Sequence, residues 1–293
     1  MKRIVKIISI IVVMCLLISC TKKNENNDNP KVNTDNLESI ILLIEEIEDE
    51  YFLGMHPWAS PRKYKVFASL NKELCVGDYV DVYFDEMIEI SEQSYEISAK
   101  LVEPSDFKLE PNVAYKPVIY LYPTEETKVF VSLDYNGTLT HTDPTYSNGW
   151  NVTAYPNGSL IDNKGKEYPY LFWEGESDIE YDLSKGFCVL GHQTEQFLRT
   201  KLDFMGLNQK ELEDFIGFWI PFMKKNPYNK ISFQTTAYTD NAKLTVYPEP
   251  DSILRIYMVF QPLNEFVEVE EQPLTEFERT GFTLVEWGGS IIK

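Results

Sequence analysis

The stretch AYKPVIYLYP, Ala114 to Pro123, decides the fold. From Val118 to Tyr122 every side chain is apolar or aromatic, so Val118, Tyr120 and Tyr122 share one face of a strand and Ile119 and Leu121 the other. A strand with no polar face needs cover on both sides, which predicts a central strand. Pro117 and Pro123 are expected to delimit it, because proline has no N–H to give to a ladder.

The sequence downstream supplies candidate cover. KVFVSLDYNGTLT (128–140) and GWNVTAYPNGSLI (149–161) each run a strand-like pattern into an Asn-Gly pair. Asn and Gly tolerate positive φ, so two hairpins are predicted, turning at Asn136-Gly137 and Asn157-Gly158. The sequons at Asn136, Asn151 and Asn157 then read as turn and strand chemistry rather than glycosylation. EYPYLFWE (167–174) follows as another strand. The period then changes. TEQFLRTKLDFMGL (194–207) places Phe197, Leu198, Leu202 and Met205 on one helical side, with Gly206 as the stop. In NQKELEDFIGFWIPFM (208–223), Asn208 and Glu211 are spaced as a capping box. Leu212, Phe215, Ile216 and Trp219 form a stripe expected to pack on the sheet. Pro221 and NPY (226–228) are expected to end the helices. KISFQTTAY, AKLTVYP, ILRIYMVFQPL and GFTLVEWGG return to strands. Residues 113–293 therefore read as a mostly antiparallel α+β domain with an inserted helix pair.

Upstream, residues 37–112 read as a small closed β-barrel with its linker, so the whole chain is mainly β with α+β character. SIILLIEEIEDEYFLGM (39–55) reads as two strands about the acidic turn EDE, because β-branched residues dominate. In VGDYVDVYFDE, Val80, Val82 and Phe84 alternate with Tyr79, Asp81 and Tyr83. SYEISAKLVEP alternates again, and several short strands at this spacing suggest closure. EPSDFKLEPN (103–112) is polar and reads as the linker.

The first residues, MKRIVKIISIIVVMCLLISC, have a basic start and an apolar run too short for a permanent span. Leu17-Ile18-Ser19-Cys20 resembles the lipobox of bacterial lipoproteins. That resemblance implies a signal peptide over 1–19, cleavage after Ser19 and a lipidated Cys20, with the protein held on the extracytoplasmic side of a cell membrane or outer membrane. Asp is absent from position 21, which in a cell with an outer membrane weighs against retention at the inner one. Residues 20–36 are polar and read as a flexible tether.

VGDYVDVYFDEMIEIS (76–91) is similar to small β-barrel domains in lipoproteins of low-GC Gram-positive bacteria. KPVIYLYP, YLFWEGE, DFIGFWIPFM, RIYMVF and GFTLVEWGG resemble an uncharacterised set of secreted bacterial proteins. Neither likeness brings a catalytic residue.

The net charge of −19 excludes nucleic acid as a partner, because such a surface repels phosphate. Cys15 leaves with the signal. Cys75 and Cys188 sit in apolar stretches of different domains and read as two buried thiols rather than a bridge. His192 and Glu195 form H-x-x-E, and His141 lies near Asp143. Neither matches a metal motif, and no metal or cofactor is expected.

Two Trp/Glu pairs remain, Trp173-Glu174 and Trp287-Glu286. Each glutamate extends an apolar face, where a carboxylate is either desolvated and suited to act as an acid, or tied to a cation. As a catalytic pair, Glu174 and Glu286 would suit glycoside cleavage, with Trp173 and Trp287 stacking on sugar. As structural groups they would be anchored, with Arg199, Arg255 and Arg279 as available cations. The structural reading is the expected one. The chain is thus read as a lipid-anchored, non-enzymatic module binding a glycan or an envelope protein, with an envelope carbohydrate hydrolase as the alternative. Cys20→Ser should move the protein from the membrane fraction to the medium, or block its processing. Normal maturation with unchanged membrane retention would overturn the anchor.

Overall fold

The computed structural model describes residues 34, 36–56, 63–68, 74–91, 94–111 and 113–292. Cys20, the signal segment and most of the tether lie outside the described residues. Five strands close a barrel in the order β1-β2-β3-β5-β4: β1 (Glu38–Ile47), β2 (Tyr51–Met55), β3 (Lys63–Phe67), β4 (Tyr79–Ser91) and β5 (Ser94–Pro104). The predicted alternation holds, with Val80, Val82 and Phe84 facing the barrel core alongside Leu42, Ile44, Phe52 and Ile97. The acidic turn is closed by the Glu48 N–H donating to the Tyr51 carbonyl at 2.9 Å.

The stretch expected to be a linker is instead packed. Glu103 and Pro104 complete β5. Phe107 meets Tyr79 and Phe222 at ring centroid distances of 5.0 and 6.1 Å, and Leu109 is buried in the helix-side core. Two apolar side chains two residues apart outweigh the polar residues around them, because on an extended chain they face the same way.

The rest of the chain builds two sheets. The larger has the order β17 (Glu270–Glu271), β13 (Lys185–Leu190), β14 (Tyr228–Gln234), β16 (Ser252–Leu263), β18 (Thr283–Ile291), β6 (Val113–Tyr122), β12 (Leu171–Glu176), β8 (Thr138–Asp143). The smaller has the order β11 (Glu167–Tyr168), β10 (Leu160–Asp162), β9 (Trp150–Ala154), β7 (Thr127–Tyr135), β15 (Ala242–Tyr247). Ile119, Leu121 and Trp173 of the larger sheet join Val131, Val152 and Trp150 of the smaller in one core. Val118, Tyr120 and Trp287 join Leu198, Phe215 and Trp219 of the helices α1 (Thr194–Phe204) and α2 (Gln209–Met223) in another. A short helix, α3 (Thr236–Thr239), adds Tyr238 to the core between the sheets.

β6 is central as predicted, flanked by β18 and β12, but Pro117 does not start it. Trp287 and Gly289 face Val118 and Tyr115, so β6 has one residue more than β18 over that interval. It exceeds β12 by one residue as well, since Phe172 and Gly175 face Val118 and Ala114. A bulge absorbs the extra residue at Lys116-Pro117, where the ladder is interrupted and the missing proline N–H goes unneeded. Lys116 adopts φ 51°, a left-handed conformation costly for a residue with a Cβ. Gly288 makes room for the bulge, because a Cβ there would lie 2.9 Å from Pro117 Cα.

Only one predicted hairpin forms. β9 and β10 pair about Asn157-Gly158, with Ala154 opposite Leu160. β7 and β8 do not pair. Asn136-Gly137 carries the chain from the smaller sheet to the larger, and the Asn136 N–H donates to the Asn241 carbonyl at 2.7 Å. Gly137 is required by crowding, since a Cβ would sit 2.2 Å from the Glu176 carbonyl oxygen.

The helix signals are borne out at two ends. The Leu207 and Gly206 N–H groups donate to the Leu202 and Asp203 carbonyls, closing α1 with a Schellman motif. Asn208 and Glu211 cap each other reciprocally. Pro221 does not stop α2, which runs to Met223. So near the end, proline unpairs only the carbonyl four residues back, on exposed Gly217. Cys75 is exposed rather than buried, since it lies in the loop before β4 and donates its N–H to Asp78 at 2.9 Å. Cys188 is half-buried, and no disulfide joins the two.

Leu109→Ala should destabilise the chain by about 2–3 kcal/mol in urea melts, as a buried leucine truncation does. Lys108→Ala, on the exposed neighbour, should change it by less than about 0.5 kcal/mol. Equal effects would show that the segment is a passive linker.

Candidate functional site

β16 and β18 are parallel neighbours, with Arg255 directly opposite Glu286. Both side chains face the layer between the two sheets. Arg255 Nε donates to Glu286 Oε2 at 2.5 Å, and Trp173 Nε1 donates to Oε1 at 3.3 Å. The Arg255 guanidinium also donates to the Ala242 carbonyl at 2.7 Å and lies 4.9 Å from the Tyr238 ring centroid. Glu286 is wholly buried, and its charge is met by one cation and one indole N–H.

Glu174 projects from the opposite face. On β12, Leu171 and Trp173 belong to the inter-sheet core and Phe172 to the helix-side core, so Glu174 faces the helices. There it accepts the Lys116 backbone N–H at 3.3 Å. Lys116 is itself fully buried, with its ammonium over the Phe218 and Tyr170 rings at 5.3 and 5.9 Å. Asp214 of α2 accepts the Tyr120 hydroxyl at 2.8 Å. Burial pushes the Glu174 carboxyl up to about 8, only partly opposed by Lys116, so it holds its proton at neutral pH. Burial also raises Asp214 and lowers the Lys116 amine.

The two glutamates are therefore not a pair. The sheet itself separates them, and no substrate bond can lie between carboxyls on its two faces. Trp173 and Trp287 are 0% exposed, so neither indole has a face to offer a sugar. Arg199 is held by Glu195 and Glu213 on the helix surface. Arg279 clamps the turn between the helices, donating to Glu211 and to the Gly206 carbonyl. Glu174 thus receives none of the three arginines. His192 lies on a short 3-10 turn, and His141 lies opposite Glu174 in the β8 ladder. Among the described residues no group of three His, Cys, Asp or Glu side chains is arranged to hold a metal.

An open cleft lies elsewhere. A cavity of about 400 Å³ sits between the β8–β9 loop and the β10–β11 turn, at one end of the smaller sheet. Thr145, Ser147, Asn151, Asn163 and Lys164 line it with hydroxyl, amide and ammonium groups, and Trp150 and Tyr168 are at its base. Both walls are braced. Trp150 Nε1 donates to the Pro144 carbonyl at 2.8 Å, and the Tyr146 hydroxyl donates to the Leu133 carbonyl at 3.1 Å. Asp162 accepts the Lys164 and Lys166 backbone N–H groups at 2.8 and 2.9 Å, which hold its carboxyl below the usual range. Gly149 takes φ 135° with its missing Cβ pointing at the Phe130 ring, so the loop turns where only glycine fits. Sequence reasoning passed over these residues. Their signal is the turn-rich DNKGK and the polar PTYSN, which also describe ordinary loops.

Glu286→Gln should lower stability by about 3 kcal/mol, because it leaves Arg255 buried without its charge partner. Replacing Glu286 and Arg255 together by Leu and Met should recover part of that loss. A silent single variant would show that the pair carries no structural weight. Glu174 gives a pH signature. The unfolded carboxyl titrates at 4.5 and the folded one at about 8, so the folded state binds the extra proton between those values. Its contribution is complete below pH 4.5 and is lost as pH rises toward 8. Glu174→Gln should flatten that decline in urea midpoint, and an unchanged profile would refute it.

Over 64 residues, 21% of its length, the chain is 53% identical to an uncharacterized protein in the bglA 3′ region of Butyrivibrio fibrisolvens. It covers 66% of that protein. No family model and no solved structure matches the chain.

Proposed function

We propose that this chain is a lipid-anchored, extracytoplasmic module of the bacterial envelope that binds a glycan without transforming it. The observation that carries this reading is the braced cleft between the β8–β9 loop and the β10–β11 turn. Its size falls within the ~300–1,000 Å³ of small-ligand sites. Hydroxyls and amides that both donate and accept suit a ring of sugar hydroxyls. Loops held by their own hydrogen bonds lose little freedom on binding. The most perturbed carboxyl, Glu174, lies deep under the helices and away from the cleft, so the cleft has no acid or base of that kind. Lipobox residues 17–20 support the anchor, and the acidic chain would stay clear of nucleic acid and anionic headgroups.

The mature chain should be titrated calorimetrically against a panel of envelope and plant-wall oligosaccharides. A binding sugar is expected, with Asn151→Ala and Lys164→Ala each weakening it about tenfold, or about 1.4 kcal/mol, at unchanged melting temperature. Binding that both variants leave intact would place the ligand elsewhere. Release of reducing ends would make the protein a hydrolase.

A further inference from the structure

The barrel closes at Phe84, but β4 continues. β1 pairs with β4 only over Tyr79–Phe84, ending at Glu38 opposite Phe84. Before Glu38 the chain turns, with the Leu37 N–H donating to the Thr34 carbonyl at 3.0 Å. β4 runs on to Ser91 and pairs there with β5 alone, while β5 is covered on its far side by β3. From Asp85 to Ser91 the outer edge of β4 therefore has no neighbouring strand among the described residues. Every residue of that stretch is exposed.

An open edge presents unpaired backbone N–H and C=O groups, and proteins blunt it with charged side chains, Pro, β-bulges or very short strands. Here the β4–β5 register slips between Phe84 and Met87 and between Glu89 and Ser91, which leaves Met87 to Glu89 as the regular part of the edge. The sequence DEMIEIS, Asp85 to Ser91, has neither Lys nor Pro. It carries Met87, Ile88 and Ile90 at 38%, 53% and 57% exposure, a cluster of large apolar groups within four residues. Asp85 is balanced by Lys100 at 2.9 Å, whereas Glu86 and Glu89 have no such cation among the described residues. Apolar groups interspersed with acids along a free edge form a template for a strand with apolar and basic residues.

We infer that the Asp85–Ser91 edge docks an extended segment of another protein, added to β4 as a strand whose basic side chains meet Glu86 and Glu89. A second copy of this chain brings only acids to this edge and no cation for Glu86 or Glu89, so it lacks the charge complement that a basic strand supplies. A bilayer fits poorly too, because the same acids repel anionic headgroups. This surface is distinct from the cleft and does not depend on it.

The test uses fluorescein-labelled KVKTKVKTKV, the same peptide with Glu for Lys, and a version N-methylated at alternate amides, each titrated against the mature chain. The Lys peptide should bind at least tenfold tighter than either control and slow amide exchange within Asp85–Ser91. Ile88→Lys with Ile90→Lys should abolish that binding at unchanged melting temperature, since both side chains are exposed. Four results would overturn the inference. Equal binding by the N-methylated peptide would mean charge attraction without a ladder. A dimer in sedimentation that Ile88→Lys dissociates would make the edge a self-interface. Absence of binding, or protection of Asp85–Ser91 by phosphatidylglycerol vesicles instead, would rule out a protein strand.

Discussion

Strand β6 has no solvent face, and most of the larger fold follows from that. Ile119 and Leu121 need the smaller sheet above them, and Val118 and Tyr120 need the helices below. Its two edges need β18 and β12, because a ladder buried this deeply leaves no water for unpaired N–H and C=O groups. The one irregularity is the bulge at Lys116-Pro117. Without it the run would alternate strictly, and Tyr115 and Val118 would point to opposite faces. With it both point at the helices, and the Lys116 side chain lies there as well, over Phe218.

This geometry explains why the two glutamates part. Side chains along a strand alternate, so a glutamate's face is set by its parity relative to its apolar neighbours. Glu286 has the parity of Leu284 and enters the inter-sheet core. Glu174 has the parity of Phe172 and enters the helix-side core. Each parity was legible within its own strand. The comparison between strands was not, because it depends on the order β18-β6-β12, which places β6 between the two. The cations were hidden for the same reason. Arg255 meets Glu286 only because β16 runs parallel to β18 in a particular register.

Local signals succeeded where the physics is local. The capping box at Asn208, the glycine stop at Gly206 and the inside-outside pattern of Val80 to Phe84 each depend on residues a few positions apart. They failed where a distant element intervened. Asn136-Gly137 has the chemistry of a tight hairpin, but β8 gains more by pairing with β12, and the same two residues become a crossing between sheets. Phe107 and Leu109 read as incidental in a polar run, because Phe107's partners Phe222 and Tyr79, and the helix-side core that takes Leu109, are remote in sequence. The cleft was invisible for a further reason. Its polar side chains have the composition of any exposed loop, and only the bracing by Trp150 and Asp162 distinguishes it.

Charge buried and charge exposed serve different ends in this molecule. Glu286 with Arg255 and Glu211 with Arg279 stitch strand to strand and turn to loop, in sites where either member alone would be costly to bury. Glu174 takes the other route open to a buried carboxyl and keeps its proton. These groups are committed to the fold, and none faces the cleft. What remains for recognition is held on short connections and edges. The cleft is built from two turns of the smaller sheet, and the free half of β4 extends past the point where the barrel has already closed. A rigid three-layer core, stitched by the Glu286–Arg255 and Glu211–Arg279 pairs, leaves such peripheral features free to vary without disturbing the strands that carry them.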